Sequence, residues 1–240
     1  MADGIYVGMA AAAARAEQLD AIADNLANVE TPGFKASHPA FQSFLPQPGG
    51  ARGPSDKVST AVVGSGANLA TGTIVGTGNP LDVVPKDDGF LVIDTGSGPG
   101  FTRNGRLMLN GDGFLVSAGH PLVGVSGNLI QVPPGAPVTL RESGAVMAGQ
   151  VELDRLSMVR LTGPVGHLGA SLYAPVAGQG GAAVPMEPGI TVGQVELGNS
   201  TALQATVDMI GAQRQFETAM QAIQTYRRLD DRVIEVGKSR

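Results

Sequence analysis

Cysteine and tryptophan are absent from the 240 residues, and aromatic side chains make up only 4% of them. Without thiols the protein has neither disulfides nor thiolate metal sites, so its stability has to come from packing or assembly, a composition that suits an exported protein. Charge is also scarce, at 15% of residues with a net of -5 and no basic run. That argues against a nucleic-acid partner, because phosphate binding needs clustered Lys and Arg. No apolar run approaches the ~20 residues that cross a bilayer, so direct membrane insertion is not expected. Val7 to Ala14 imitates a weak signal-peptide core, but no Lys or Arg precedes it and Asp3 stands where a positive charge belongs. The segment is expected to stay on the mature protein as helix.

What is present is unevenly distributed. The 35 Gly and 16 Pro fall almost wholly between residues 46 and 198, which predicts helical ends and a non-helical middle. Hydrophobic residues at 42% supply a buried core and exclude a disordered, solvating polypeptide. The length allows one ordinary domain, or a core domain with substantial appendages.

From Asp3, a candidate N-cap, the spacing predicts a helix to about Val29. Ile5, Ala12, Leu19 and Leu26 recur every seven residues. Met9, Ala16 and Ala23 follow the first three of these, and Ile22 and Val29 extend the apolar stripe. Thr31-Pro32-Gly33 then stops it. At the other end, Thr201 with Gln204 is a possible capping box, and a helix runs to about Val236 with Gly237 as terminator. Met209, Phe216 and Ile223 share one row, with Met220 beside it, while Ala205, Ala212, Ala219, Tyr226 and Val233 fill the row three residues on. This is an a/d seam of the coiled-coil kind. Leu203, Val207 and Ile210 widen the stripe near its start. Both stripes are Ala-rich and bury little apolar area per turn, so the ends are expected to be completed by neighbouring copies.

Residues 46 to 80 have few large side chains and are expected to form a loop-rich connector with one or two short strands. Gly89 to Ile93 is a buried-strand pattern, and Leu107 to Leu109, Asn110-Gly111-Asp112-Gly113 and Phe114 to Val116 form a hairpin signal. Asn104-Gly105 marks another turn or bulge. Further strands are expected over Leu129 to Val132, Val138 to Leu140, Val146 to Leu153 and Ser157 to Leu161. The spacing describes a compact all-β domain over about 81 to 175, followed by a return connector, Pro175 to Gly193.

Chemical motifs are few. Gly237-Lys238-Ser239 imitates the end of a phosphate loop, but Arg232 stands where its first Gly belongs. Asn110-Gly111-Asp112-Gly113 lacks the later Glu of a calcium loop, so a hairpin turn is expected instead. His38, His120 and His167 are expected in loops, far apart and with no metal-ligand spacing, and each is read as a surface or turn residue. Asp82, Asp87 and Asp88 are the only candidate paired acids, beside Lys86; strand-end charges are the simpler reading. Three function classes therefore stand. The first is a self-assembling structural subunit. The second is a secreted carbohydrate-binding or hydrolytic β domain using those acids. The third is a membrane-surface anchor, disfavoured because Ala-rich, negatively charged helices bind anionic lipid poorly.

Three stretches together resemble the flagellar rod and hook family. The first is Asn25-Leu26-Ala27-Asn28-Val29-Glu30-Thr31-Pro32-Gly33-Phe34-Lys35, from which Asp24 and Glu30 depart in detail. The second is Thr77-Gly78-Asn79-Pro80-Leu81-Asp82-Val83, continued by Asp88-Gly89-Phe90-Leu91-Val92, Phe101-Thr102-Arg103-Asn104-Gly105 and Asp112-Gly113-Phe114-Leu115-Val116. The third is Val207-Asp208-Met209-Ile210 with Gln213-Arg214-Gln215-Phe216-Glu217. Asn25 and Asn28 are expected to bond carbonyls of the last helical turns, and Pro32-Gly33 to redirect the backbone so that Phe34 packs as an anchor.

The resemblance implies an α+β protein: an N-terminal helix (1–35), an extended connector (36–80), a central β domain (81–175), a return connector (176–198) and a C-terminal helix (199–240). It implies a structural rod subunit, exported unfolded by the flagellar type III apparatus, that stacks helically and transmits torque from motor to hook in the periplasm. A hook subunit fits less well, because hook proteins carry larger outer domains. Implied partners are copies of itself, other rod proteins and the surrounding basal-body rings. No cofactor, metal or catalytic residue is implied. The expected assembly interface is Ile5, Met9, Ala12, Leu19, Ile22, Asn25, Leu26, Asn28, Pro32, Gly33 and Phe34 on the first helix and its exit, and Leu203, Val207, Met209, Ile210, Phe216, Met220, Ile223 and Tyr226 on the last.

Overall fold

A computed structural model describes residues 2–44, 59–169, 171–176 and 178–238. The protein is α+β, with one helix at each end and a β-rich middle. It divides into two compact units, one of residues 1–26, 37–65 and 202–240, the other of residues 27–36 and 66–201.

In the first unit, helix α1 spans Ala2–Ala27 and helix α2 spans Ala202–Lys238. Their seam is narrow. Ile22, Ala205 and Ala212 are buried together, with Leu19, Leu26 and Met209 packed against them. Near the other end of α1, Gly8 lies against Ile223, where an added Cβ would come within 2.8 Å of Ile223 Cγ1. Early α1 thus meets late α2 and the helices run antiparallel, with small residues admitting the close approach. The strands Ser37–Phe44 and Ser59–Ala67 form a two-stranded sheet.

Several expectations shift. The first helix already includes Asp3, which therefore lies inside its first turn and does not cap it, and it ends at Ala27. The last helix continues through Gly237 to Lys238, since one glycine in a long helix costs only ~1 kcal/mol. The side chains of Ile5 and Val233, and the connector residues 45–58, lie outside the described residues. No helix among the described residues is long and apolar enough to cross a membrane.

The second unit is built on a six-stranded antiparallel sheet. Its strands are, in order, Val165–Gly169, Leu172–Pro175, Pro99–Thr102, Gly89–Asp94, Met158–Thr162 and Ala182–Met186. Gly89–Asp94 is a continuous apolar run because both of its faces are covered. Leu91 and Ile93 enter a core with Leu107, Leu115, Leu156 and Ile190, while Phe90 and Val92 enter another with Phe101, Val159 and Tyr173.

Leu107–Leu109 pairs with Leu115–Ser117 across the expected hairpin. Asn110 Oδ1 accepts from the amides of Asp112 (3.0 Å) and Phe114 (2.8 Å), so its carboxamide builds the turn. The stretch Val146 to Leu153 is two strands, Ala145–Ala148 and Val151–Arg155, joined at Gly149. Leu129 to Val132 makes only isolated bridges, Val123 to Leu129 and Phe114 to Gln131.

The stretch expected to be a return connector is not extended linker. Ala182–Met186 closes one edge of the large sheet, and Ile190–Val192 and Gln194–Glu196 pair with Val83–Pro85 and Ile74–Gly76. For the last two the partners lie about a hundred residues away, so local composition carries little of the signal.

Candidate functional site, a buried ionic joint

After the Asn28–Thr31 turn (Thr31 N donates to Asn28 O, 3.0 Å), Pro32-Gly33 redirects the backbone. Gly33 has φ +71°, and a Cβ there would strike the backbone of Asn104. The first family-like stretch is thereby keyed into the second. Phe34 is buried as expected, its ring 5.9 Å from that of His167. His167 is not a loop residue: it sits in the strand Val165–Gly169, half-buried between Phe34 and Tyr173. His120 too lies in a strand, the short His120–Pro121, which pairs with Leu115–Ser117.

One step further, Lys35, Arg103 and Glu196 are fully buried together. Lys35 Nζ donates to Glu196 Oε1 and to the carbonyl of Ala70, both at 2.6 Å. Arg103 Nε donates to Glu196 Oε2 at 2.6 Å, and its terminal nitrogens donate to the carbonyls of Gly89 (2.9 Å) and Pro85 (3.2 Å). The Gly72 amide donates to Glu196 Oε1 at 2.8 Å. The guanidinium carbon lies 5.8 Å from the Phe90 ring centroid, within cation–π range. Tyr173, also fully buried, accepts from the Lys35 amide (2.6 Å) and donates to the carbonyl of Gly33 (3.1 Å).

Three charges taken out of water cost several kcal/mol each, which only such dense, charge-assisted bonding can offset. Burial alone raises the Glu196 carboxyl, but Arg103, the Gly72 amide and Lys35 reverse that and hold it below the usual carboxylate range. Burial lowers Lys35 despite its bond to Glu196, and raises the Tyr173 phenol.

The joint ties together the segments from which both helices continue. Gly33 N donates to the carbonyl of Glu196 (2.8 Å), and Asn199 N donates to the carbonyl of Phe34 (3.3 Å). Asn199 Oδ1 accepts from Ala36 N (2.6 Å), while its Nδ2 donates to the carbonyls of Asn68 (2.7 Å) and Ala70 (3.0 Å). Asn25 also differs from expectation. Its carboxamide grips both backbone groups of Ser37, accepting from N (2.8 Å) and donating to O (2.9 Å), and so pins the backbone where it returns to the first unit.

Comparison with known proteins bears directly on these segments. The family model "Flagella basal body rod protein" matches residues 5–35, ending on Lys35, and "Flagellar basal body rod FlgEFG protein C-terminal" matches residues 193–236, which include Glu196. The protein is 34% identical to the flagellar basal-body rod protein FlgF of Escherichia coli (strain K12), and the match spans 93% of both sequences.

The protein belongs to the flagellar basal-body rod family.

Other relatives of the family agree. FlgF of Salmonella typhimurium is 32% identical, again over 93% of both sequences. FlgG of Bacillus subtilis is 28% identical, over 94% of the present sequence and 95% of its own. The protein is thus a structural subunit of the flagellar basal-body rod, most like FlgF with FlgG next. The relatives give no support to the carbohydrate-binding or hydrolytic alternative. Asp82 is buried and accepts from Asn79 Nδ2 (3.1 Å), whereas Asp87 and Asp88 are exposed in the turn before Gly89.

The residues expected to form the assembly interface separate into two sets. Ala12, Ile22 and Ile223 are buried, Leu19, Leu26, Met209 and Phe216 are half-buried, and Asn25, Gly33 and Phe34 are buried where the backbone leaves α1. Asn28 and Pro32 are half-buried in that turn. Met9, Met220 and Tyr226 are exposed, as are Leu203 (79%), Val207 (56%) and Ile210 (49%). At 3.6 residues per turn the last three share one face of α2, opposite Ala205, Ala212 and Ile223.

The sequence presents Lys35 and Arg103 only as parts of motifs and places Glu196 at the end of a connector. A charged residue is read as solvated unless a partner is visible, and these partners are separated by most of the sequence. The one clue is position: two cations inside otherwise apolar or glycine-rich signatures.

Proposed function

We propose that the subunit assembles into a helical rod through the free faces of its terminal helices, while the buried joint braces the two segments of the β-rich unit that are continuous in sequence with those helices. The observation that carries this reading is the exposed row Leu203, Val207 and Ile210, opposite the seam already used within the subunit. A row of large apolar side chains left open on a long helix is a surface for another helix. The seven-residue spacing of Met209, Phe216 and Ile223 supports coiled-coil-like pairing.

In this reading residues 1–35 and 199–240 form the axial part, 81–175 the heart of the β domain, and the protein has no catalytic role. Its partners are further copies, neighbouring rod proteins and the surrounding rings, after unfolded export through the type III apparatus to the periplasm. The short length and Gln215-Phe216-Glu217 favour the proximal over the distal rod.

The test replaces Leu203, Val207 and Ile210 together by Asp in the chromosomal copy. Because these side chains are exposed, the purified variant should keep its secondary structure and melting temperature, while swimming and recovery of the subunit in basal bodies are lost. Normal swimming with normal incorporation would refute the interface.

A further inference from the structure

Two Asn-Gly pairs occur in the sequence, Asn104-Gly105 and Asn110-Gly111; each carboxamide oxygen accepts from the amide two residues on (3.0 Å in both), but the glycines that follow are packed oppositely. We infer that Asn110 is a self-modification site that converts to aspartate and isoaspartate in the folded protein, whereas Asn104 is protected by its packing.

The chemistry requires no partner but water. The backbone nitrogen of Gly111 attacks Asn110 Cγ, forming a new C–N bond as the bond from Cγ to Nδ2 breaks. The Gly111 amide proton leaves with the departing ammonia. Water then opens the resulting cyclic imide at either carbonyl, giving aspartate from one opening and isoaspartate from the other. The barrier lies in the tetrahedral stage, when negative charge develops on Oδ1, and in the freedom of the following peptide to swing onto Cγ.

Both requirements are met at Asn110. Its Oδ1 already accepts from the amides of Asp112 (3.0 Å) and Phe114 (2.8 Å). These are two fixed donors aimed at the atom on which charge develops. Gly111 is exposed, and no atom stands within 4 Å of where its Cβ would be; the Asn110 carbonyl accepts from Gly113 N (3.1 Å), a bond local to the turn, so moving this peptide disturbs no packed neighbour. At Asn104 the following glycine is buried against the carbonyl of Val83 and cannot even accommodate a Cβ. The carbonyl of Gly105 also accepts from Val83 N (2.9 Å) and that of Asn104 from Ser117 Oγ (2.6 Å). Swinging this peptide would break the packing that joins the second family-like stretch to the sheet. The consequence at Asn110 is a new negative charge beside Asp112. In the isoaspartate product an extra backbone methylene also lies in the turn of the Leu107–Leu109 and Leu115–Ser117 hairpin.

The experiment incubates the full-length native protein in mildly alkaline buffer, digests it under acid conditions and quantifies both asparagines by peptide mass and by isoaspartate methyltransferase labelling. A sample held in denaturant gives the unconstrained rates. In the native protein Asn110 should convert at least roughly ten-fold faster than Asn104, and denaturant should bring the two rates together. Gly111→Ala, which the open space accommodates, should keep the melting temperature and slow conversion at Asn110 at least roughly ten-fold, because a Cβ hinders the attacking nitrogen. Comparable native rates at the two sites, or an Asn110 that stays intact until the protein is denatured, would overturn the inference.

Discussion

Glu196 holds two cations that water cannot reach, and the consequence of losing it follows from what remains. Glu196→Gln keeps the shape and the bond from Gly72 but strands Lys35 and Arg103 in the interior. Breaking a buried pair in this way costs about 3 to 5 kcal/mol, readable as a lower urea midpoint. The exposed pair Lys86–Glu142, at 3.2 Å, is the internal control, and Glu142→Gln should change stability by less than about 1 kcal/mol.

The pH dependence has a definite sign. The folded carboxyl of Glu196 is held below its unfolded value, so its contribution is complete above the ordinary carboxylate pKa of about 4.3 and is lost as pH falls through the lower folded value. The gap between wild type and Glu196→Gln should therefore narrow in acid. A gap that stays constant from neutral pH to the acid limb would contradict the charge assignment.

Among the elements, α1 and α2 meet at a seam in which the small residues Ala205 and Ala212 lie against the larger Ile22, Leu19, Leu26 and Met209. Ala212 is 2% exposed at the centre of the seam, so Ala212→Leu must separate the helices or distort a rotamer. A loss of about 1 to 3 kcal/mol is expected, seen as earlier melting of the far-ultraviolet dichroism signal; an unchanged midpoint would show that the seam is slack. This part of the fold is legible in the sequence because seven-residue spacing is local, as is the hairpin around Asn110, whose turn residues stand side by side. Ala182–Met186, Ile190–Val192 and Gln194–Glu196 are not legible. They are short and interrupted by Gly and Pro, and they become strands only through partners near residues 160, 84 and 75. The joint is hidden for the same reason, since nothing near Glu196 announces Lys35 or Arg103.

For the molecule as a whole, the two family-model matches end and begin on segments that the joint draws together. The segments that precede α2 and follow α1 are therefore braced together within the β-rich unit, and on α2 the Leu203, Val207 and Ile210 row is exposed. Photo-crosslinking in motile cells tests this most directly, with a benzophenone amino acid placed singly at Leu203, Val207, Ile210 or, as an exposed control in the β-rich unit, Val151. The account predicts strong adducts with another axial subunit at the three helix positions in assembled basal bodies and weak ones at Val151. Adducts at Val151 alone, with the three helix positions silent in intact rods, would contradict it.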